Sequence, residues 1–203
     1  MTAFAGLWTA GPLRFASVCL AVPIVVLMLG GAAVAQSRPD TSDWRTFQAE
    51  EYALSIKVPP DWNLDRTTMQ QRGDLLDFRA PQNSDDPPAV CGIKVYSNPS
   101  GEPIDFDGYL KHVNDEQRFL KALRTNFGNP EIHLQRIVSL PSRRAYHAVF
   151  TGDMPNHRWT VVNFDTVEAA NLFKLQCVVM PDRFEEHYPI FLSIGYSLRI
   201  GPT

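Results

Sequence analysis

The chain has 203 residues, with 19 Lys and Arg against 22 Asp and Glu, giving a formal net charge of −3. This length allows one domain with a good core in addition to an N-terminal targeting segment. The composition shows no basic stripe, which argues against nucleic acid as a partner, and no polybasic patch for anionic lipid head groups.

The N-terminal segment has the composition of a targeting sequence. Arg14 is the only charged residue among the first 35, and an apolar run follows it to Ala35. The triplet Ala33–Ala35 before Gln36 matches the small-x-small cleavage pattern of a secretory signal peptide. The run is also long enough to cross a bilayer, which takes about 20 apolar residues, so residues 15–35 form a membrane anchor if they are not cleaved. We therefore expect residues 1–35 to be a signal peptide or an N-terminal membrane anchor of an exported protein, periplasmic or secreted.

Four strands are predicted before the first helix. Residues 36–43 are polar and contain a proline, which predicts a flexible tail before a single domain over residues 44–200. Apolar and polar residues then alternate with the period of two that marks strands. These strands are expected at 44–47, 52–58, 75–79 and 90–96. A reversal at Glu50-Glu51 joins the first two, and Pro59-Pro60-Asp61 ends the second strand just before Trp62.

Two amphipathic helices are predicted, one in the middle of the chain and one near its end. Apolar residues from Phe106 to Phe127 keep the three-four spacing of one helix face, with Asp105 as the cap at its start. The second helix is expected at about 182–195, with Asp182 as its N-cap. Pro189 in its interior removes a backbone hydrogen bond, which predicts a kink or a break.

The chain between these helices has the pattern of four further strands, at 131–139, 144–151, 158–166 and 171–179. Their connections are short, and short links between strands form antiparallel hairpins. The predicted fold class is therefore α+β, a mainly antiparallel β-sheet with covering helices.

Cys91 and Cys177 are the two cysteines that follow the N-terminal segment. An even number of cysteines in an exported chain favours a disulfide. Both lie on the apolar side of alternating strands, so they can equally be buried free thiols that fill the core. A bridge requires the two α-carbons to lie within about 7 Å of each other, which the sequence does not determine.

The sequence contains no motif for catalysis, a cofactor or a metal ion. It has no Gly-x-Ser-x-Gly, and both cysteines are expected to be buried, unlike a cysteine nucleophile. His112 and Glu116 are four residues apart on the predicted long helix, but two ligands without a third are a weak metal signal. The segment Asp105–Gly108 lacks the later acidic positions of a calcium loop, so helix capping explains it better.

Three stretches give the chain a family resemblance. They are the alternating strand that ends in Pro-Pro-Asp-Trp (Tyr52 to Trp62), the mid-chain helix that opens with DFDGYL, and the final strand followed by PDRFEEHYPIF and Ser197. In these features the region 44–200 resembles the PsbP-like superfamily, which includes small exported bacterial proteins. The resemblance implies an α/β/α sandwich around an antiparallel sheet and a binding or assembly role, since the family shares no catalytic centre. It implies no ligand residue in this chain.

We expect an exported envelope protein without catalytic activity that binds a partner protein or a lipid-like ligand. If Trp62 is exposed, it is the residue expected to anchor a partner, because large rings dominate interface energetics. The alternative for Trp62 is a buried ring that plugs the end of the sheet. The competing hypothesis for the protein is a small envelope enzyme or metal-dependent factor with a dispersed site. A cavity that gathers titratable groups would favour chemistry, and an apolar groove would favour binding.

Overall fold

Two antiparallel sheets organise the part of the chain that the computed structural model describes, residues 39–65, 75–82 and 86–201. The expected signal peptide or anchor in residues 1–35 lies outside these ranges. The remainder, Gln36–Thr203, forms one compact unit. The core residues of the described ranges, with the partly buried residues packed against them, lie between Trp44 and Ile200.

The described part of the expected tail is held by hydrogen bonds. The backbone amide of Ser42 donates to Asp40 Oδ1 at 2.9 Å, which forms a turn. The ammonium group of Lys57 donates to the carbonyl of Thr41 at 3.2 Å. Residues 39–43 therefore lie against the domain.

The smaller sheet has three strands, in the order β1-β2-β10. These are β1 (Arg45–Ala49), β2 (Leu54–Val58) and β10 (Arg199–Ile200). A 3-10 turn at Glu50–Tyr52 makes the predicted reversal. The predicted strand from Tyr52 begins later, at Leu54, because Ala53 has a φ of 47°, a left-handed conformation that interrupts extended backbone.

The larger sheet has seven strands, in the order β3-β4-β5-β9-β8-β7-β6. These are β3 (Asn63–Leu64), β4 (Leu76–Arg79), β5 (Val90–Ser97), β6 (Gly128–Ser139), β7 (Arg144–Met154), β8 (His157–Glu168) and β9 (Asn171–Val179). All neighbouring pairs are antiparallel, so the hairpins predicted for the second half of the chain are confirmed. The β7–β8 link, Pro155-Asn156, places a residue with a φ of 79° after proline, the pattern of a type II turn.

The prediction of one long helix from Phe106 to Phe127 is wrong. The structure has two shorter helices, α1 (Phe106–Val113) and α2 (Glu116–Leu123). Asp105 caps α1 as predicted, since its side chain accepts a hydrogen bond from the amide of Asp107. The break occurs because Asp115 caps a new helix, its carboxylate accepting from the amide of Arg118 at 3.1 Å.

The last helix, α3 (Phe184–Ser197), continues through Pro189 without a break. Its start differs from the prediction, because Asp182 lies in a 3-10 turn and the N-cap is Arg183, which makes no side-chain cap. Its end is fixed to β2. Ser197 Oγ donates to the carbonyl of Ile194 at 2.7 Å and accepts from the amide of Lys57 at 2.9 Å.

The larger sheet has a core on each face. On one face, Val162 and Phe164 of β8 belong to a cluster with Phe191 and Ile194 of α3 and with the smaller sheet. On the other face, alternate strand residues such as Val161 cluster with residues of α1 and α2. The structure is therefore the predicted α+β sandwich, with the antiparallel sheet between two helical layers.

Cys91 of β5 and Cys177 of β9 lie directly opposite each other in the register of the two strands. Both are fully buried, as the alternation predicts. Of the two alternatives that the sequence left open, the structure has the disulfide, which joins the two halves of the chain across the centre of the sheet.

Candidate ligand-binding site

A cavity of about 420 Å³ lies between α2 and the sheet, on the α1–α2 face, and we call it the sheet–helix cavity. Its floor is formed by β4, β5, β7, β8 and β9, and its roof by α2 and the residues that follow it. Each wall has a different character, because the floor residues are mostly polar and the roof residues mostly apolar.

Strand register arranges the polar side chains of the floor in two adjacent rows. One row consists of Asp77, Gly92, Gln176 and Asn163, and the other of Lys94, Lys174 and Asp165. Successive members of a row are directly opposite, so their Cβ positions are about 4.5–5.5 Å apart. Gln176 Nε2 donates to Asn163 Oδ1 at 3.1 Å.

The second row places two lysines side by side. Lys94 and Lys174 are register partners on neighbouring strands and both line the cavity. Lys174 Nζ lies 3.3 Å from Asp165 Oδ2. The Lys174 side chain is 29% exposed and that of Asp165 only 1%. Lys174 lines the cavity and Asp165 does not, so the lysine is the member of this ion pair that the cavity exposes.

Tyr109 of α1 fixes the buried carboxylate from the helical side. Its hydroxyl donates to Asp165 Oδ2, the same oxygen that Lys174 approaches. Burial, and to a smaller extent the negative charge of Asp165, raises the pKa of Tyr109 far above its usual range. Tyr109 therefore stays protonated and remains a donor. Among the described residues, Asp165 Oδ1 has no hydrogen-bond partner.

The roof of the cavity is apolar. Phe119 and Leu123 of α2 are buried, and Phe127 packs edge-on against Phe150 with ring centroids 5.2 Å apart. Tyr96 of β5 also lines the cavity and is 50% exposed. The cavity therefore combines a polar, lysine-bearing floor with an apolar roof and an accessible aromatic ring.

Trp62 is not exposed, so the condition under which it was expected to anchor a partner is not met. Its side chain is 2% exposed, and its ring packs edge-on against Phe191 of α3 with centroids 6.3 Å apart. Its carbonyl accepts a hydrogen bond from the guanidinium of Arg45. The ring therefore plugs the end of the core, which was the alternative interpretation of a tryptophan bounded by prolines.

The other residues considered from the sequence do not converge. His112 ends up on α1 and Glu116 on α2, and His112 Nδ1 lies 3.1 Å from Arg118 Nη1. Within residues 39–65, 75–82 and 86–201, no three His, Cys, Asp or Glu side chains are grouped as a metal site. The sequence did not identify the polar floor residues Lys94, Lys174 and Gln176 as site residues. They alternate with apolar residues, and this pattern is also that of a strand face exposed to solvent.

No family model and no curated protein matches this sequence. Solved structures do match its fold. Cyanobacterial PsbP from Synechocystis has a TM-score of 0.53 at 13% identity, covering 85% of this chain and 99% of that one. LpqN of Mycobacterium tuberculosis, a protein involved in cell envelope biogenesis, has a TM-score of 0.54 at 14% identity, covering 74% of this chain and 84% of that one. PA94 of Pseudomonas aeruginosa, of unknown function, scores 0.51 at 13% identity, with 79% and 99% covered.

The chain therefore has the PsbP-like fold that the sequence resemblance implies. Sequence identities this low show the fold alone, so the chemistry of the site rests on the geometry of the chain itself. Along the described stretches of the chain, no helix has the length and apolarity needed to cross a membrane.

Proposed function

We propose that this protein is a non-catalytic accessory protein of the cell envelope that binds a small organic anion with an apolar body in the sheet–helix cavity. One observation carries the proposal: Lys94 and Lys174 lie directly opposite each other on a floor that faces the apolar roof of α2.

The lysine pair is arranged for an external anion. Like charges directly opposite on neighbouring strands destabilise a sheet. Asp165, which lies beside Lys174, is only 1% exposed, and so is Asp77, which lines the cavity in the adjacent row. The lysine side chains are therefore the more exposed charged groups of the floor. An anion placed over the pair reduces their repulsion, and the roof receives the apolar part of the same molecule.

The envelope location is supported by three features of the chain and its neighbours. The first 35 residues have the pattern of a signal peptide or anchor. The Cys91–Cys177 disulfide is typical of proteins that fold in an oxidising compartment. LpqN, whose fold is similar, is involved in cell envelope biogenesis.

The alternative, a small envelope enzyme, has one supporting observation, because Asp77, Lys94 and Lys174 line the same cavity. Aspartate, lysine and tyrosine can themselves act as acids or bases, so these titratable groups are what a dispersed site would use. The described residues that line the cavity include no Ser, Thr, Cys or His. The apolar roof over the floor favours binding, and the titratable groups of the floor keep an enzyme as the alternative function.

Two dyes with one aromatic body test the proposal. 1-Anilinonaphthalene-8-sulfonate carries a sulfonate, and N-phenyl-1-naphthylamine is the same body without it. Because detergent would take up both dyes, the protein used is Gln36–Thr203, which contains both cores. We expect the sulfonate dye to bind more tightly, and Lys94→Gln to weaken it about tenfold, the loss of one charge-assisted hydrogen bond. The uncharged dye should bind this variant within about twofold of the original protein.

Two tryptophan variants test whether the dyes bind in the sheet–helix cavity. Ala122 lines the cavity from α2, so Ala122→Trp should block both dyes, whereas Gln117→Trp on the same helix, at an exposed position that does not line the cavity, should block neither. Equal affinity for the two dyes would refute the role of the lysines. Binding that survives Ala122→Trp would refute the sheet–helix cavity as the site.

A further inference from the structure

A second depression of about 510 Å³ lies on the opposite side of the domain from α2, between the smaller sheet and α3, and we call it the α3 groove. Two of the described residues that line it are cationic, Lys57 and Arg199, and none is acidic. Six others carry hydroxyl groups: Thr41, Thr46, Ser55, Ser193, Tyr196 and Ser197. Cations and hydroxyl donors without a carboxylate are the groups that hold an oxyanion in proteins.

Strand register places both cations on one face of the smaller sheet. Arg199 of β10 is the register partner of Ser55 in β2, and Lys57 lies two residues further along β2. Arg199 and Lys57 are therefore diagonal neighbours on the same face, with α-carbons about 7–8 Å apart. Thr46 of β1 is the register partner of Lys57, so it belongs to this face too. Two long side chains at this spacing can reach a single anion.

The helical wall of the groove contains a hydroxyl that lacks a partner. Ser193 is only 5% exposed, and its Oγ has no hydrogen-bond partner within the described chain. A buried hydroxyl without a hydrogen-bond partner destabilises the folded protein, so it needs an explanation. Ser197, one turn later, is held by Ile194 and Lys57, which fixes this wall against β2. A ligand oxygen in the groove would accept the hydrogen bond from Ser193.

We propose that the α3 groove binds a phosphate group. Arg199 is exposed, and a guanidinium makes parallel hydrogen bonds to two phosphate oxygens. Lys57 gives one N–H to the carbonyl of Thr41, which leaves two for the ligand. Asp40 lies near Lys57 but outside the groove lining, and its carboxylate accepts from the amide of Ser42. The site is distinct from the sheet–helix cavity and shares no lining residue with it.

The test uses the full chain in a nonionic detergent and follows backbone amide signals by NMR. Inorganic phosphate and glycerophosphoglycerol, a soluble lipid head group, are titrated at constant ionic strength, with chloride as the control anion. We expect saturable shifts at Ser55, Lys57 and Ser193 with phosphate ligands only. Tighter binding of the diester would identify a lipid head group as the source, and tighter binding of inorganic phosphate a free phosphate.

Charge variants decide whether the groove is responsible. Arg199→Gln and Lys57→Gln should each weaken phosphate binding about tenfold, and Arg199→Lys should weaken it less because it keeps the charge but loses the parallel hydrogen bonds. Arg136→Gln, which removes an exposed strand arginine outside the groove, should leave the affinity unchanged. The proposal is overturned if the groove amides shift equally with chloride, or if binding survives both Arg199→Gln and Lys57→Gln in proteins whose other amide signals are unchanged.

Discussion

Gly195 of α3 lies against the ring of Phe164 of β8, and we expect Gly195→Ala to destabilise the protein although alanine is the better helix former. A Cβ atom at residue 195 would lie 2.4 Å from Phe164 Cε2, 2.5 Å from Cζ and 2.7 Å from Cδ2. Carbon atoms pack at about 3.5–4.0 Å, so the ring or the helix must move by about 1 Å.

The surroundings of Phe164 resist this movement. Its ring is fully buried and stacks on His147 with centroids 4.4 Å apart, and His147 is fixed by a hydrogen bond to the carbonyl of Asn163. Overpacking of a core costs about 1–3 kcal/mol, and this shift belongs at the upper end. Replacing glycine by alanine in a helix contributes about 1 kcal/mol in the opposite direction. The expected net loss in the free energy of unfolding is about 2 kcal/mol.

Urea denaturation followed by tryptophan fluorescence measures this loss. A double-mutant cycle with Phe164→Leu separates the steric effect from helix propensity, because the smaller side chain makes room for the alanine methyl group. The two substitutions should then be less destabilising together than the sum of their separate effects, by about 1–2 kcal/mol. Additive effects, or a Gly195→Ala protein that is more stable by about 1 kcal/mol, would refute the close approach of α3 to β8.

Two further predictions concern the disulfide and a buried histidine. Replacing Cys91 and Cys177 by alanine should lower the free energy of unfolding by about 4–5 kcal/mol, the chain-entropy value for cysteines 86 residues apart. Alkylation of the denatured protein without reductant should modify neither cysteine, and two alkyl groups added at these positions would contradict the bridge. Burial lowers the pKa of His147 from 6.5 to about 4. Between pH 6.5 and pH 4 the unfolded chain therefore binds more protons than the folded protein, and the free energy of unfolding should fall by about 3 kcal/mol as the pH drops through this range. Denaturation measured across this pH range gives the slope of the free energy of unfolding against pH. This slope should be reduced in His147→Gln and retained in His133→Gln, and equal slopes in both variants and the original protein would contradict the prediction.

The sheet was predictable because its strands have one strongly buried face. In β9 the alternation of Phe173, Leu175 and Cys177 with polar residues gives the strand its observed bounds, Asn171–Val179. The short β3 and β10 carry only two residues each and were missed, since a period of two needs at least four residues to be visible. Tertiary pairing with β4 and β2 determines them.

The break between α1 and α2 was missed for a different reason. The apolar spacing from Phe106 to Phe127 is compatible with one helix, and the signal for a new start was the pair Asn114-Asp115, where asparagine and aspartate compete for backbone hydrogen bonds. The exposure of Trp62 could not be predicted because it depends on which residue packs against the ring, here Phe191 from the far end of the chain. No local pattern contains that information.

The break in the helix also accounts for the position of the sheet–helix cavity. α1 contacts the sheet through the buried Leu110 and through two hydrogen bonds. Tyr109 donates to Asp165, and the hydroxyl of Tyr146 donates to the carbonyl of Val113 at 3.2 Å. α2 is held by aromatic packing, with Phe119 edge-on against both Tyr146 and Phe150.

All of these contacts lie on β7 and β8, near one side of the sheet, so α2 faces the lysines of β5 and β9 across the cavity. The opposite face carries the disulfide, α3 and the larger core, which stabilise the domain independently of the cavity. Substitutions in the floor at Lys94 or Gln176 should therefore alter binding without unfolding the protein. This division of the two faces is what a scaffold for a ligand site requires.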